Sequence, residues 1–384
     1  MRASIVISAV VAALVGFAGT LALIVSACQA VGATPGQTSS AVLGLCLSMA
    51  GTTAVLSVRY RMPIITAWTT PGAALIAASH GVSMEAAVGA FLLVGAMILA
   101  TAAIRPLGAL VARIPTAIAA AMLAGVLFRF ATAVFTSAQA DPLLLLPLIG
   151  LFLVARRLSP FGAVLVVLVA GVGLAALAGR IGALPAGIPL PTPELIWPVF
   201  EPQVLIGLGL PLYLVTMASQ NLPGFAVLAA AGYTPPTGPI LAATGFASVL
   251  TAPLGSLTSN LAAITASICT GPDTHPDPGK RWMAGPFYAA SYIVLAIGGA
   301  SLVALIGALP AGLVAAFAGL ALLGPLVNAL GIAMTDVTRR FPAVLTLAVT
   351  ASGISLGGLG SAFWGLAAGL LALLVEHVRR PAAS

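Results

Sequence analysis

Two short stretches of the chain carry residue types that bind anions in a low-dielectric environment. The residues are Thr70, Pro71 and Gly72 in the first stretch and Thr258, Ser259 and Asn260 in the second. Proline in a first helical turn, and Ser, Thr or Asn as N-caps, predict a half-helix that begins at each stretch. Two helix N-termini that meet would attract an anion through N–H groups and partial positive charge. The same small and polar residues also permit close helix packing, so that interpretation stays open.

Neutral polar side chains in two other segments line the predicted approach to these stretches. They are Gln29, Ser219, Gln220 and Asn221. An uncharged amide hydrogen-bonds a carboxylate as readily as it bridges two helices, so both roles stay open. The sequence therefore predicts a site built from uncharged donors and helix dipoles.

Titratable residues near these segments are few. Glu85 lies one turn into an apolar segment and His80 just before it, where the pair either relays a proton or lies at the membrane interface. Arg129, between two phenylalanines, either snorkels to the outer interface or contacts a ligand. In each case the interfacial position is the simpler interpretation.

Other reactive patterns have structural explanations. The acidic and histidine residues of the loop 273–277 are explained by an ion-paired, proline-rigidified turn beside Lys280 and Arg281, rather than by a metal site. The 3 cysteines lie in apolar segments without ligand spacing, which is typical of packing thiols. Neither a catalytic triad nor a phosphate-binding loop occurs in the sequence. We therefore predict no metal, no cofactor and no enzymatic activity.

The elements that position these residues are membrane helices. Of 384 residues, 60% are apolar and 6% are charged, so the chain lacks the charged surface of a soluble domain. The 15 basic residues never form a run longer than two, which argues against nucleic acid as a partner. At about 20 residues per helix plus a short loop, the length accommodates about 14 crossings.

Apolar runs form two sets of seven, separated by a proline-rich stretch at 179–202. With a cytoplasmic N-terminus, thirteen of the 15 basic residues fall on the cytoplasmic side of these runs. An odd number of segments per half inverts the second half relative to the first. We predict an all-α integral membrane protein with a 7+7 inverted repeat and cytoplasmic termini, in which segments 3 and 10 are each a short strand plus a half-helix. The first repeat is 1–178, the periplasmic linker 179–202 and the second repeat 203–384.

Several motifs, in order, resemble the BenE-type benzoate/proton symporter family. They include WTTPGAAL at 68–75, QNLPGFAVL at 220–228 and TSNLAAIT at 258–265, with further matches at 114–115, 120–127, 231–233, 269–272, 275–277 and 280–282. The resemblance covers nearly the whole chain. It implies a multi-pass carrier in a bacterial inner membrane that imports benzoate or a related small aromatic carboxylate with protons.

The resemblance also implies distant kinship with nucleobase carriers and SulP anion transporters, which divide an inverted repeat into core and gate domains. On this plan the core comprises 1–105 and 203–308, and the gate 113–178 and 310–384. An elevator-type carrier is implied, and by analogy a homodimer.

One departure from the nucleobase carriers bears on the substrate. Those carriers usually have carboxylates on the eighth and tenth segments, where this chain has Ser219-Gln220 and Ser259-Asn260. Acidic side chains there would repel a carboxylate substrate, whereas neutral side chains can donate hydrogen bonds to it. We therefore expect proton-coupled transport of a small aromatic carboxylate, with His80 and Glu85 as candidate proton-coupling residues. The alternatives are a nucleobase/proton symporter or another organic-anion carrier of this fold, followed by an anion channel or a membrane enzyme.

Overall fold

The protein is a mostly helical membrane protein. The part of the chain that the computed structural model describes comprises residues 3–104, 115–158, 162–184 and 189–378. Within these residues, 8 helices are long and apolar enough to cross a membrane. Shorter apolar helices occur at Ala163–Leu177 and Ser361–Glu376. The multi-pass membrane class predicted from the composition is confirmed.

The helices and strands follow in this order along the chain. The first half contains α1 Ala3–Ala18, α2 Leu21–Ala30, α3 Pro35–Tyr60, β1 Thr66–Trp68, α4 Thr70–Ala77, α5 Met84–Ala103, α6 Thr116–Ala140, α7 Pro142–Leu158 and α8 Ala163–Leu177. The second half contains α9 Pro202–Ala230, α10 Thr237–Thr251, β2 Ser259–Leu261, α11 Ile264–Thr270, α12 Ala284–Ala308, α13 Ala311–Ala333, α14 Arg340–Ser352 and α15 Ser361–Val378.

Several predicted boundaries lie outside the described residues. They are the core end at 105, the gate start at 113, the motif position Ile114 and the C-terminal residues beyond 378. The described residues of 181–201, within the predicted linker, lie in neither helix nor strand, as their prolines predict.

β1 and β2 form a short antiparallel pair in the interior, which we call the strand crossing. Thr66 pairs with Leu261 and Trp68 with Ser259, and the Ala262 N–H donates to the Ile65 carbonyl at 2.9 Å. Backbone polar groups inside a membrane must be satisfied within the protein. The ladder satisfies those that face between the two strands, and side chains pair with others, as Thr53 Oγ1 does by accepting from the Thr66 N–H at 3.0 Å. A short strand therefore precedes a short helix in each half of the chain, as β1 with α4 and β2 with α11.

The most extensive helix packing falls into two groups. In one, α3 packs against α12 and α5 against α10; in the other, α6 packs against α13 and α14, and α14 against α15. Small residues make these approaches possible: a Cβ on Gly319 of α13 would lie 2.4 Å from the Phe130 carbonyl oxygen of α6. The assignment of these groups to the core and gate boundaries stays a prediction.

α9 is longer than the sequence predicts. In the sequence, the apolar run that begins at 203 predicts a segment that ends near 222, before Pro223, but the helix continues to Ala230. A proline inside a helix clashes with the carbonyl four residues earlier. Here Pro211 and Pro223 each follow a π turn, at Leu205–Gly209 and Met217–Asn221, and each turn contains that earlier carbonyl. The wider turn accommodates the proline without ending the helix.

α11 begins later than the sequence predicts. The expected half-helix starts directly after Asn260, whereas α11 starts at Ile264 with Ala263 as its N-cap. Alanine supplies no capping side chain, so the expected Ser, Thr or Asn cap is wrong. The reason is that 259–261 are held in the ladder with β1 and have extended backbone.

Candidate functional site

α4 begins at a threonine outside the predicted site. Thr69 is its N-cap, and its Oγ1 accepts a hydrogen bond from the Gly72 N–H at 3.1 Å. Thr70 is the first helical residue and Pro71 the second, where a missing N–H costs no helical bond. A Cβ on buried Gly72 would lie 2.5 Å from Leu212 Cδ1. Glycine therefore lets α9 approach the first turn of α4.

Three buried threonines join the start of α4 to α9 and to the strand crossing. The Thr216 hydroxyl donates to Thr69 Oγ1 at 3.2 Å and lies 3.4 Å from Thr258 Oγ1. All three side chains are fully buried. The Thr69 N–H also donates to the Thr258 carbonyl at 3.2 Å, which extends the strand ladder. This three-threonine cluster, Thr69, Thr216 and Thr258, forms an uncharged, hydrogen-bonded core beside Thr70.

The first turn of α4 has fewer free donors than the sequence suggests. A helix leaves its first N–H groups without helical partners. At α4, Thr69 donates to Thr258, Pro71 has no N–H, and Gly72 donates to Thr69. Among the described residues, the Thr70 N–H and the partly buried Thr70 hydroxyl remain without hydrogen bonds. The predicted array of donors is thus reduced to Thr70.

Asn221 supports the scaffold. Its Oδ1 accepts a hydrogen bond from the Leu261 N–H of β2 at 2.9 Å, and its Nδ2 donates to Met217 Sδ at 3.3 Å. The side chain is fully buried. Of the two roles open to this amide, the structure thus assigns the bridge between segments.

The second predicted stretch is also largely engaged by the scaffold. Ser259 Oγ pairs with Ser48 Oγ, and the Ser259 N–H donates to Ser248 Oγ at 2.9 Å. Asn260 Nδ2 donates to a neighbouring backbone carbonyl at 3.0 Å. Asn260 Oδ1 is buried and has no hydrogen-bond partner in the described part of the chain. The strand crossing therefore retains one unpaired acceptor.

On the π turn of α9, two of the predicted residues remain available to a ligand. Ser219 and Gln220 are partly buried, and their side chains make no hydrogen bond to any described residue. Gln220 lies one turn beyond Thr216, and the Met217–Asn221 turn contacts both β2 and α6. Gln29, by contrast, is exposed in the last turn of α2, at an end of the span rather than its middle. The available residues are thus Thr70, Ser219 and Gln220.

Four aromatic side chains that the sequence did not bring together pack beside β1. The ring of Trp68 lies 5.6 Å from that of Phe17 and 6.1 Å from that of Tyr292, which lies 4.8 Å from Tyr288. Trp68 Nε1 donates to Thr20 Oγ1 at 2.7 Å. The cluster fixes β1 and the residue that follows it. Only the position of Trp68 next to Thr69 could have signalled it, because the other rings come from distant segments.

The candidate proton-coupling residues lie at a surface. His80 is exposed in the connection between α4 and α5, and Glu85 is exposed in the first turn of α5. The Glu85 carbonyl accepts a hydrogen bond from the Val199 N–H at 3.0 Å. Neither side chain belongs to the buried threonine cluster.

The loop 273–277 is organised around Arg281. Arg281 Nε donates to the His275 carbonyl at 2.7 Å, and Lys280 forms an ion pair with Asp277. The His275 ring nitrogen Nδ1 accepts the Asp277 N–H at 3.0 Å. Nearby, burial raises the pKa of Tyr233, and its hydroxyl donates to the Pro278 carbonyl at 2.7 Å. These bonds describe a rigid turn.

Solved membrane transporters share this fold. The transmembrane domain of the cyanobacterial bicarbonate transporter BicA matches with a TM-score of 0.62 at 16% identity, over 96% of this chain and 98% of that one. SLC26A9 matches with a TM-score of 0.64 at 11% identity, over 97% of this chain and 65% of that one. At these identities the likeness shows the fold alone. The chain therefore has the fold of these two proteins.

Sequence similarity defines a narrower group of relatives than the shared fold does. The BenE family model, described as benzoate membrane transport protein, matches residues 1–375. The inner membrane protein YdcO of Escherichia coli is 36% identical over 96% of this chain and 94% of its own. The benzoate membrane transport protein of Acinetobacter baylyi is 35% identical over 97% and 95%. The chain belongs to the BenE family of benzoate membrane transport proteins. It is a transporter of an anion or other solute and not an enzyme, and the family resemblance read from the sequence is confirmed.

Proposed function

We propose that this chain imports benzoate or a related small aromatic carboxylate into a bacterial cell together with protons. The observation that carries the proposal is that neutral donors without hydrogen bonds flank the strand crossing, with Thr70 just after β1 and Ser219 and Gln220 on a turn that contacts β2. Thr70, Ser219 and Gln220 have free polar groups, whereas their neighbours hold the scaffold together. The name of the Acinetobacter relative supports benzoate as the substrate.

Neutral donors suit a carboxylate that must be released again. A charge-assisted hydrogen bond contributes about 1.5–3 kcal/mol, so two of them hold an anion with roughly 3–6 kcal/mol. That range corresponds to millimolar to tens-of-micromolar affinity, which leaves release fast. Apolar side chains beside the donors, Leu212 among them, are proposed to receive the ring.

Proteoliposome uptake tests the substrate and the coupling together. Purified protein is reconstituted, a pH gradient is imposed, and uptake of labelled benzoate is compared with uptake of labelled uracil. We expect gradient-driven benzoate accumulation that a protonophore abolishes. Gradient-driven uracil uptake without benzoate uptake would instead identify a nucleobase/proton symporter. Benzoate flux that ignores the gradient would identify a channel.

We further propose fourteen membrane segments in two inverted sevens, located in the inner membrane with both termini cytoplasmic. The alternation of basic residues supports this topology. Thr192 is exposed in the linker, Arg157 is exposed in the last turn of α7, and the two are predicted to face opposite sides. Thr192→Cys and Arg157→Cys should therefore react with an impermeant thiol reagent from opposite faces of the membrane. Labelling from the same face would refute the topology.

Proton coupling and assembly complete the proposal. His80 and Glu85 are the candidate coupling residues, and His80→Gln and Glu85→Gln should weaken the dependence of uptake on the pH gradient. Unchanged dependence in both variants would remove them from the coupling. A homodimer is proposed from the family resemblance, and the mass of the detergent-solubilised protein by light scattering tests it.

A further inference from the structure

A cavity separate from the strand crossing opens beside the far end of α4. It has a volume of about 60 Å³, enough for a carboxylate group or a few waters. Its walls come from the last turns of α4 and the connection that follows, which includes His80, and from α6 and the start of α9. The end of α14, the start of α15 and the connection between them complete the walls. The side chains that matter below are Leu75, Arg129, Gln203, Thr350 and Ser355. We refer to it as the Arg129 cavity.

Arg129 brings a positive charge to this cavity without a counterion. The side chain is partly buried, and within the described chain its guanidinium makes no ion pair and no hydrogen bond. None of the residues that line the cavity is Asp or Glu. A partly buried guanidinium in a membrane protein is costly unless an anion or polar groups compensate it.

The guanidinium is held in a defined orientation. Gly353, the C-cap of α14, has φ +72°, and a Cβ built on it would lie 3.1 Å from Arg129 Cζ, 3.1 Å from Nη1 and 3.3 Å from Nη2. Nearly equal distances to three coplanar atoms mean that Gly353 covers the flat face of the group. The N–H donors point along the edges, which stay free for a planar bidentate partner such as a carboxylate. The partial negative charge at the end of α14 favours the cation in this position.

Thr350 lines the cavity, but its hydroxyl is packed against a neighbouring helix. Its Oγ1 is buried and has no hydrogen-bond partner among the described residues. A Cβ on Gly365 of α15 would lie 1.9 Å from this oxygen, so the hydroxyl faces α15. Arg129 is therefore the group that carries the inference.

We propose that the Arg129 cavity binds the carboxylate of the transported anion before it reaches Thr70, Ser219 and Gln220. The inference rests on the proposed function for the identity of the anion. α4 connects the two places, because Leu75 lines the cavity and Thr70 begins the same helix. Five residues of α-helix span about 7.5 Å, which is the separation of Leu75 from Thr70 along the helix axis. Arg129 is a binding residue in this scheme and does not merely snorkel.

Thiol protection tests binding in the cavity directly. Ser355 is exposed and lines the cavity, and the three native cysteines are buried, so Ser355→Cys provides a single reactive thiol in the described chain. We measure the rate of its reaction with a sulfonate-bearing methanethiosulfonate, with and without benzoate. Benzoate should slow the reaction severalfold when Arg129 is present and leave it unchanged in Arg129→Gln. Gln203→Cys replaces Ser355→Cys as the reporter if the latter does not fold.

Transport kinetics provide the second measurement. Arg129→Gln should raise KM for benzoate at least about tenfold, with kcat changed less, and Arg129→Lys should recover part of the loss. Arg180→Gln is the matched control, since Arg180 is an exposed arginine that forms an ion pair with Asp141 and does not line the cavity. Its KM and its benzoate protection should stay at the parent values.

Three outcomes would overturn the proposal. Equal benzoate protection in Arg129→Gln and parent would place the anion elsewhere. A lower Tm with unchanged KM and protection would reduce Arg129 to a stabiliser of the α14 terminus. Labelling slowed by anionic lipid but not by benzoate would identify a lipid phosphate as the partner. If the parent takes up no benzoate at all, the proposed function is wrong. If the parent takes up benzoate and Arg129→Gln is unaffected, only the proposed binding in the Arg129 cavity is wrong.

Discussion

Gln220 and Asn221 are adjacent in α9, and we expect their substitution by alanine to have different effects. Asn221 is fully buried, and its Oδ1 accepts the Leu261 N–H at 2.9 Å. Gln220 is partly buried and its side chain makes no hydrogen bond to the described chain. We expect Asn221→Ala to lower the stability of the protein and Gln220→Ala to lower its affinity for benzoate.

The loss of stability expected for Asn221→Ala comes from the Leu261 N–H, which is left without an acceptor. A buried N–H without an acceptor costs about 1–3 kcal/mol. In a chain of this length, such a loss should lower Tm by roughly 1–4 °C. Asn221→Leu roughly preserves the side-chain volume but has no acceptor, so it should cost a similar amount if the hydrogen bond is the cause.

The expected loss at Gln220 concerns the ligand. An amide that donates to a carboxylate contributes about 1.5–3 kcal/mol, so Gln220→Ala should raise the Kd for benzoate about 10- to 100-fold. Benzamide has no charge, and its affinity should fall less. Tm should stay within about 1 °C of the parent, because no bond within the described chain is lost.

The assays are thermal unfolding of the purified protein in detergent and ligand binding by calorimetry, with both variants measured side by side. The reasoning is refuted at Asn221 if alanine leaves Tm unchanged. It is refuted at Gln220 if the variant folds normally and keeps parent affinity for benzoate. A reversal of the two effects would mean that Asn221, and not its neighbour, contacts the substrate.

Three further variants test the scaffold around the site. Gly72→Ala introduces a Cβ 2.5 Å from Leu212 Cδ1, so it should cost about 1–3 kcal/mol and lower Tm, whereas parent-like Tm would show that α9 can move aside. Thr69→Val removes the N-cap of α4 while keeping its shape, and should cost about 1 kcal/mol in the same unfolding assay. Pro223→Ala lets the π turn relax and should rotate Ser219 away, reducing benzoate uptake roughly tenfold or more without lowering Tm; unchanged uptake would separate the turn from the site.

Local signals in the sequence predict the elements around the site well. A β-branched and aromatic run followed by proline predicts a strand and then a helix, and the structure has β1 at Thr66–Trp68 and α4 at Thr70–Ala77. Such signals act within a few residues, because they depend on backbone preferences and on capping. They place the start of α4 to within about one residue.

Non-local bonds decide which polar residues remain free, and these could not be predicted. The hydrogen bond from Thr216 to Thr69 joins residues 147 apart, and that from Leu261 to Asn221 joins residues 40 apart. The second of these bonds engages Asn221, an amide that the sequence offered to a ligand. The same applies to α9, where the π turn before Pro223 rather than the proline itself determines how far the helix extends.

The placement of charge is consistent with what a carrier of anions requires. A guanidinium at the strand crossing would add a bidentate ion pair in a buried place, where such pairs are strong and slow to break. The described residues at the crossing are instead uncharged, and the unpaired Arg129 lies beside the far end of α4. On the proposed route, capture uses the charge of Arg129, and release from the strand crossing breaks hydrogen bonds alone. On this argument, introducing a cation at Gln220 should tighten benzoate binding and slow its transport.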